Sequence, residues 1–302
     1  MNQQQPQCMH DVLIITQQDQ EQFIESLMQL NLIPRTQVCD ACKRPMNLNA
    51  DDRIDGFAFR CPHYLCRKYK SIRNGSLFEH CKYDLQTCLL LYAAWCDDYT
   101  PQQAASLLNI SDTRGIRRFF SKIRDKAVEW YNNDLEENPL GSTGGTLQAD
   151  ETALGHAKYN RGKALKRHCN WLAGIVDTST HRMAVEQVSD RTAKTLTTFI
   201  QASVQPNSTI HTDQWKGYDG LTDLNYQHHT VNHKKEYVHT CEDGTLVHTQ
   251  NVEAKWRSLK LSLHHQSAMH RSRTGQYAQA YAARNNAGNT FPAFFQFIKI
   301  PQ

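Results

Sequence analysis

"TLQADETAL", residues 146–154, is where the chain changes character. It reads as a short strand with an acidic side chain, Asp150, inside it. Immediately before it, "NNDLEENPLGSTGGT" (132–146) is acidic, then rich in Gly and Ser, and shows no periodicity. That composition predicts a linker and a domain boundary. After it come "HCNWLAGIVD" (168–177) and "RMAVEQVS" (182–189), two further strands joined by the turn "TSTH" (178–181). "DRTAKTLTTFIQASV" (190–204) follows as an amphipathic helix, with Asp190 as its N-cap and Leu196, Phe199, Ile200 and Val204 facing inward. "STIHTD" (208–213) is a fourth strand that ends on Asp213, and "YQHHTVNHKKEYV" (226–238) holds a fifth. "NVEAKWRSLKLSLHH" (251–265) closes the series as a helix with Val252, Trp256, Leu259 and Leu263 on one face. Three strands, a helix, two strands and a helix predict a mixed α/β (α+β) domain over residues 147–300.

The first half has a different pattern. Residues 1–20 are Gln-rich and read as a loose leader, followed by a short helix with Phe23, Ile24, Leu27 and Leu30 near one face, so that 1–35 forms a leader segment. Cys39, Cys42, Cys61 and Cys66 then give C-x2-C-x18-C-x4-C. Two close thiolate pairs joined by a returning loop suit tetrahedral zinc, and a structural ion replaces a core that so short a segment lacks. His63 lies inside the wider second pair and is the alternative fourth ligand. These residues define a zinc-ribbon-like segment over 36–80.

Residues 81–131 read as helical. "YTPQQAASLLNIS" (99–111) carries a helix start, with Thr100 as N-cap, Pro101 in the first turn and Gln103 three residues after the cap. Ala104, Ala105, Leu107 and Leu108 are expected to face inward. Ser111 is expected to cap the next helix, where Ile116, Phe119, Phe120, Ile123 and Ala127 form an apolar stripe. Arg114, Arg117, Arg118 and Lys122 make the same segment basic. A short helix, a tight turn and a basic helix form a helix-turn-helix-like pattern. An ordinary helical hairpin with a solvated basic face is the competing reading.

Composition narrows the classes. With 302 residues, 39% hydrophobic and 21% charged, the chain reads as globular. No apolar run approaches the ~18–20 residues of a bilayer span, so no membrane partner is expected. No signal peptide is legible, which predicts an intracellular protein: nuclear in a eukaryotic host, cytoplasmic or nucleoid-associated in a bacterial one. Thirty-four Lys and Arg against thirty Asp and Glu give a net charge of only +4, so nucleic-acid binding must be read from local charge. Lys158, Arg161, Lys163 and Arg167 between the first two strands, and Lys216 after Asp213, are candidate DNA contacts.

Asp150, Asp213 and Glu253 fall at element ends or on exposed faces. If the strands bearing Asp150 and Asp213 are parallel neighbours, their carboxylates converge at a sheet edge. Clustered carboxylates repel and are stable together when hard cations neutralise them, which points to Mg²⁺ or Mn²⁺. Two such ions activate a nucleophile and stabilise the leaving oxygen of a phosphodiester. A solvated carboxylate or a turn cap is the bland alternative for each residue taken singly.

Four ordered blocks carry a resemblance: "QADETALGHAKYNRGK", "HTDQWKGY", "TVNHKKEYV" and "HTQNVEAKWRSLK". Together they resemble the transposase domain of the IS1595/ISXO2-like group, whose eukaryotic relatives are the Merlin transposons. The ending "HHQSAMHRSRTGQYAQAYAARNNAGNTFPAFFQFI" and the N-terminal layout around "SIRNGSLFE" extend the resemblance over roughly 36–299. It implies an RNase H-like catalytic domain preceded by a zinc ribbon and a helix-turn-helix-like region. It also implies DDE chemistry with Asp150, Asp213 and Glu253 as acidic residues, Asn251 as the alternative third residue, and Lys260 as the basic residue that follows. The implied activity is metal-dependent DNA cleavage and strand transfer at the element's terminal inverted repeats, by a homodimer or larger synaptic complex. Two alternatives are a domesticated DNA-binding protein and a nuclease that hydrolyses without joining.

Overall fold

The computed structural model describes residues 5–142, 144–154, 170–232, 238–241, 244, 246–265 and 271–300. Lys158, Arg161, Lys163 and Arg167 lie outside the described residues. The chain divides into two compact units: Met1–Lys126 with Asn289–Gln302, and Ala127–Gly288.

In the first unit, the stretch expected as a loose leader contains helix α1, Met9–Thr16. The Gln-rich residues lie on either side of this apolar run, whose Val12 and Ile15 are buried and tie it down. Helix α2, Gln20–Gln29, is capped by Asp19 and buries Phe23, Ile24 and Leu27. Strands β1 (Asn47–Ala50), β2 (Phe57–Arg60) and β3 (Tyr69–Ser71) form an antiparallel meander. Next to it, buried Arg73 forms an ion pair with Asp55 and donates to the carbonyls of Cys81 and Tyr83 at 3.0 and 2.7 Å. The guanidinium thus holds a loop that no regular element supports.

Helix α3, Leu85–Cys96, is apolar on nearly every side and fully packed. Tyr92 and Trp95 meet Phe294, Phe295 and Phe297 of the C-terminal aromatic segment. Helix α4, Pro101–Leu107, begins with the expected capping box between Thr100 and Gln103. Ala104 and Ala105 are buried, but Leu107 is 54% exposed and does not join the core. At seven residues the helix is too short for both sides of its apolar run to find partners. Helix α5, Thr113–Glu137, buries Ile116, Phe119, Phe120, Ile123 and Ala127, as its stripe requires. Asp112, rather than Ser111, caps it by accepting from the Arg114 amide at 2.9 Å. The helix continues to Glu137, past the acidic start of the expected linker, because Tyr131 and Leu135 keep the stripe going.

The second unit is built on a five-stranded mixed sheet of order β6-β5-β4-β7-β8. Its strands are β4 (Leu147–Leu154), β5 (Asn170–Asp177), β6 (Met183–Val188), β7 (Thr209–Asp213) and β8 (Gln227–Val231). Strand β5 runs antiparallel to β4 and β6, whereas β7 is parallel to both β4 and β8. The parallel step from β6 to β7 needs a crossover, supplied by helix α6, Ala193–Ser203. Thr192, not Asp190, is its N-cap; Asp190 instead accepts from Thr192 and Thr195. Both residues are good caps, and the helix starts two residues later than the acidic one predicts.

Beyond β8, the two-residue strands β9 (His239–Thr240) and β10 (Leu246–Val247) pair, and helix α7, Gln250–His265, returns the chain to the sheet. Helix α8, Thr274–Asn286, covers β6, with Asn286 bonding both the amide and the carbonyl of Met183. The end of α5 is held to β6 by Tyr131, whose hydroxyl accepts from the Val185 amide at 2.8 Å. No helix among the described residues is long and apolar enough to cross a membrane.

Candidate active site

Strand β4 sits at the centre of the sheet and presents Gln148, Asp150 and Thr152 on one face by strand alternation. Gln148 does the positioning. Its Oε1 accepts from the amides of Asn251 and Val252 at 2.9 and 3.3 Å, and its Nε2 meets His248 Nδ1 at 3.2 Å. The free N–H groups of the first turn of α7 are thereby satisfied from the neighbouring strand. Helix α7 starts at Gln250, so Asn251 lies within the first turn and its backbone, not its side chain, makes this contact.

About one turn further along the helix, Trp256 donates Nε1–H to Asp150 Oδ2 at 3.1 Å. The indole lies over Gly174, the β5 partner of Asp150 in the ladder. A Cβ at Gly174 would stand 2.4 Å from Trp256 Cη2, so this position has room only for glycine. These contacts carry Glu253, on the first turn of α7, toward β4.

Asp213 closes β7, a parallel neighbour of β4. Its Oδ1 accepts from the Trp215 amide at 2.9 Å, so it braces the turn that follows. Burial pushes the Asp150 carboxyl up to about 6, and the neighbouring Asp213 and Glu253 charges push the same way. Asp150, Asp213 and Glu253 thus share one electrostatic environment. Like charges repel, and no carboxylate cluster among the described residues has all its ligand atoms within 4.8 Å of one another. Lys260, two turns after Glu253 on α7, and Lys216, after Asp213, are exposed.

Glu151, Arg191 and Trp171 also belong to this region and were not legible as site residues. Burial raises Glu151 to about 7, with Asp150 and Asp213 adding to the effect and a hydrogen bond from Tyr218 and the charge of Arg191 opposing it. Its Oε1 is buried without a hydrogen-bond partner. Arg191 approaches Glu151 Oε2 at 3.7 Å and lies between Trp171 and Trp215, 4.0 and 4.4 Å from their ring centres. Only the "DE" doublet hinted at this second acid. On β7, His211 is buried with both ring nitrogens unpartnered, and burial followed by the neighbouring histidines lowers it to about 4.

A second cluster lies in the first unit. The Sγ atoms of Cys39, Cys42, Cys61 and Cys66 lie within 4.8 Å of one another, and His63 is not in the group. Cys39 to Cys66 and Cys42 to Cys61 are 3.5 and 3.4 Å apart. Tetrahedral zinc with bonds of about 2.3 Å sets its sulfurs about 3.8 Å apart, so the four thiols fit the ion. Lys43 and Arg67, each just after the second cysteine of a pair, have φ of 59° and 45°. This left-handed step turns the backbone around each pair. The His63 carbonyl accepts from the Cys66 and Arg67 amides at 2.9 and 3.1 Å, so the extra residues of the x4 spacing are taken up by a turn and Cys66 still faces the other thiols.

A central strand, its parallel neighbour and a docked helix thus each carry one acidic residue of this region. Residues 143–285 match the ISXO2-like transposase domain. No curated protein matches the chain. Among solved structures, the HTLV-2 integrase catalytic core domain in complex with magnesium is 15% identical in its trimeric form, with 45% of this chain and 82% of that one covered at a TM-score of 0.30. Its dimeric form gives the same identity and TM-score, with 83% of that chain covered. The simian T-cell lymphotropic virus intasome in complex with PP2A regulatory subunit B56 gamma is 15% identical, with 64% of this chain and 66% of that one covered, at a TM-score of 0.31.

Proposed function

We propose that the protein is a DDE transposase with an RNase H-like catalytic domain, which binds the ends of its own element and cleaves and joins DNA. The observation that carries this reading is the docking of α7 on β4. Gln148 and Trp256 bring Glu253 into the field of Asp150 beside Asp213, inside the segment that matches a transposase domain.

Asp150, Asp213 and Glu253 are the groups that would hold divalent ions of the magnesium class, and Asn251 is the alternative third residue. The fit is chemical: hard carboxylate oxygens whose mutual repulsion and burial raise Asp150, and a buried Glu151 oxygen with no donor. Such ions, when bound, activate a water or a 3′-hydroxyl and offset charge on the leaving oxygen of a phosphodiester.

The chain's own residues supply the rest. Trp256 fixes the direction of the Asp150 carboxylate, and Gln148 fixes the distance of α7. Lys260 on α7 and Lys216 just after β7 are exposed and would attract the DNA backbone. Lys158, Arg161, Lys163 and Arg167 are further proposed backbone contacts. In the first unit, Arg114, Arg117 and Arg118 point to solvent from the start of α5, and Lys122 is half-buried on the same basic stretch. With α4 they make the helix-turn-helix-like reader, beside a zinc ribbon held by the four cysteines. Joining two ends in concert requires a dimer or larger synapse.

The test is a strand-transfer assay with DNA that carries the flanking ends of the gene. Asp150→Asn and Asp213→Asn should abolish cleavage and joining while leaving end binding within about twofold, since removal of a metal ligand acts on chemistry rather than on phosphate contacts. Joining by Asp150→Asn at the parental rate would end the assignment. Cleavage without joining by the parent would favour a nuclease, and binding with neither would favour a domesticated DNA-binding protein.

A further inference from the structure

Cys81 and Cys88 belong to neither cluster described above. Their sulfurs are 3.2 Å apart, with the Cys88 thiol donating to Cys81. Cys88 lies in the first turn of α3 and is wholly buried, and it also reaches the Tyr83 carbonyl at 3.6 Å. Cys81 is half-buried and lines a cavity of about 490 Å³ whose rim carries Lys82, Arg114, Arg118 and Lys122. One thiol is therefore open to small solutes and the other is shielded behind it.

The backbone around the pair is fixed. Arg73, itself held by Asp55, donates to the carbonyls of Cys81 and Tyr83. The hydrogen bond from Cys88, the Tyr83 amide and the positive charges of Arg73 and Lys122 lower Cys81 well below an ordinary thiol, against the effect of its burial. Cys88 is raised by the same neighbour and by burial. A nucleophilic thiolate and a protonated partner in contact are the two components of a reactive dithiol. A disulfide needs sulfurs about 2.05 Å apart, so closure requires a shift of about 1 Å, within reach of side-chain rotation.

We propose that Cys81 and Cys88 form a reversible disulfide on exposure to a peroxide, with Cys81 the attacking thiolate and Cys88 the resolving thiol. The Cys81 sulfur attacks one peroxide oxygen and the O–O bond breaks, which leaves Cys81 sulfenic acid and a hydroxide that takes up a proton as water. The Cys88 sulfur then attacks the sulfenic sulfur. The S–O bond breaks, the S–S bond forms, and the hydroxyl departs as a second water with the Cys88 proton. Two thiols and one peroxide give one disulfide and two waters. The bond ties the loop before α3 to that helix at the wall of the basic cavity.

The experiment uses the full-length, zinc-loaded protein, reduced, desalted, treated with hydrogen peroxide and blocked with iodoacetamide. Peptide mass spectrometry without reductant should show Cys81 linked to Cys88, lighter by two hydrogens, and dithiothreitol should reverse the link. In Cys88→Ser, dimedone should capture a sulfenic acid on Cys81; in Cys81→Ser, neither link nor adduct should form at residue 88. If Cys88→Ser fails to fold by circular dichroism, the parental peptide decides. Recovery of both thiols alkylated and unlinked after peroxide has oxidised the exposed Cys8 would overturn the proposal, as would a link that forms only in urea.

Discussion

Trp256 donates its indole N–H to Asp150 Oδ2 at 3.1 Å, and its ring occupies the space that Gly174 leaves open on the next strand. One side chain thus packs α7 on the sheet and orients the Asp150 carboxylate. Trp256→Phe keeps most of the ring and deletes the donor. Strand transfer should fall about 10- to 100-fold, the range for loss of a partner that orients a metal ligand, beyond what the moderate loss of stability from the smaller ring accounts for. Equal activity in the two proteins would show that the hydrogen bond orients nothing.

Gly174→Ala makes the opposite change. The added methyl meets the indole at 2.4 Å. Overpacking of this kind costs about 1–3 kcal/mol, measured by urea unfolding, and strand transfer should fall with it because Trp256 must move off Asp150. Unchanged stability together with unchanged activity would place the ring elsewhere.

Gln148→Leu removes the acceptor for two amides of α7. The loss resembles a missing N-cap, about 1 kcal/mol, and the larger effect should be on Mn²⁺ affinity as Glu253 loses its position. Isothermal titration separates the two: a weaker ion with a folded protein supports the positioning role, and parental affinity contradicts it.

Metal analysis separates the candidate fourth zinc ligands. Cys66→Ser should lose zinc and unfold residues 36–80, whereas His63→Ala should retain one zinc per chain. The reverse outcome would place the imidazole in the ligand set, against the geometry of the four sulfurs.

Asp177 provides a test by acid. Burial raises its carboxyl, but hydrogen bonds from Ser179, Thr180 and Gly141 outweigh burial and hold it below the ordinary carboxylate range. A lowered folded value adds stability above the unfolded value of about 4, and this is lost as pH falls through the folded value. Asp177→Asn should flatten the acid limb of the stability curve and leave its alkaline limb unchanged. A variant with the parental slope below pH 4 would contradict this.

Much of the architecture was legible because it is local. Alternation and apolar runs marked β4 through β8, the stripe from Ile116 to Ala127 marked the buried face of α5, and the cysteine spacing marked the thiol cluster. What escaped is long-range. Gln148 bonds residues more than a hundred positions away, and Trp256 read only as an apolar position on a helix face, with nothing nearby to reveal Asp150. Glu151 is adjacent to Asp150, yet the hydrogen bond from Tyr218 and the charge of Arg191 that act on it come from distant parts of the chain. Helix caps were misplaced by one or two residues where neighbouring side chains compete, as at Asp190 and Thr192 or Ser111 and Asp112. Leu107 faces solvent because a seven-residue helix has too little surface to bury both flanks.

The most direct test is a crystal structure grown with Mn²⁺ and recorded at a wavelength where manganese scatters anomalously. An anomalous peak bonded at about 2.0–2.2 Å to oxygens of both Asp150 and Asp213 is expected, with Glu253 or Asn251 completing the site. A peak remote from these residues, or none at saturating metal while Glu253 faces away, would contradict it.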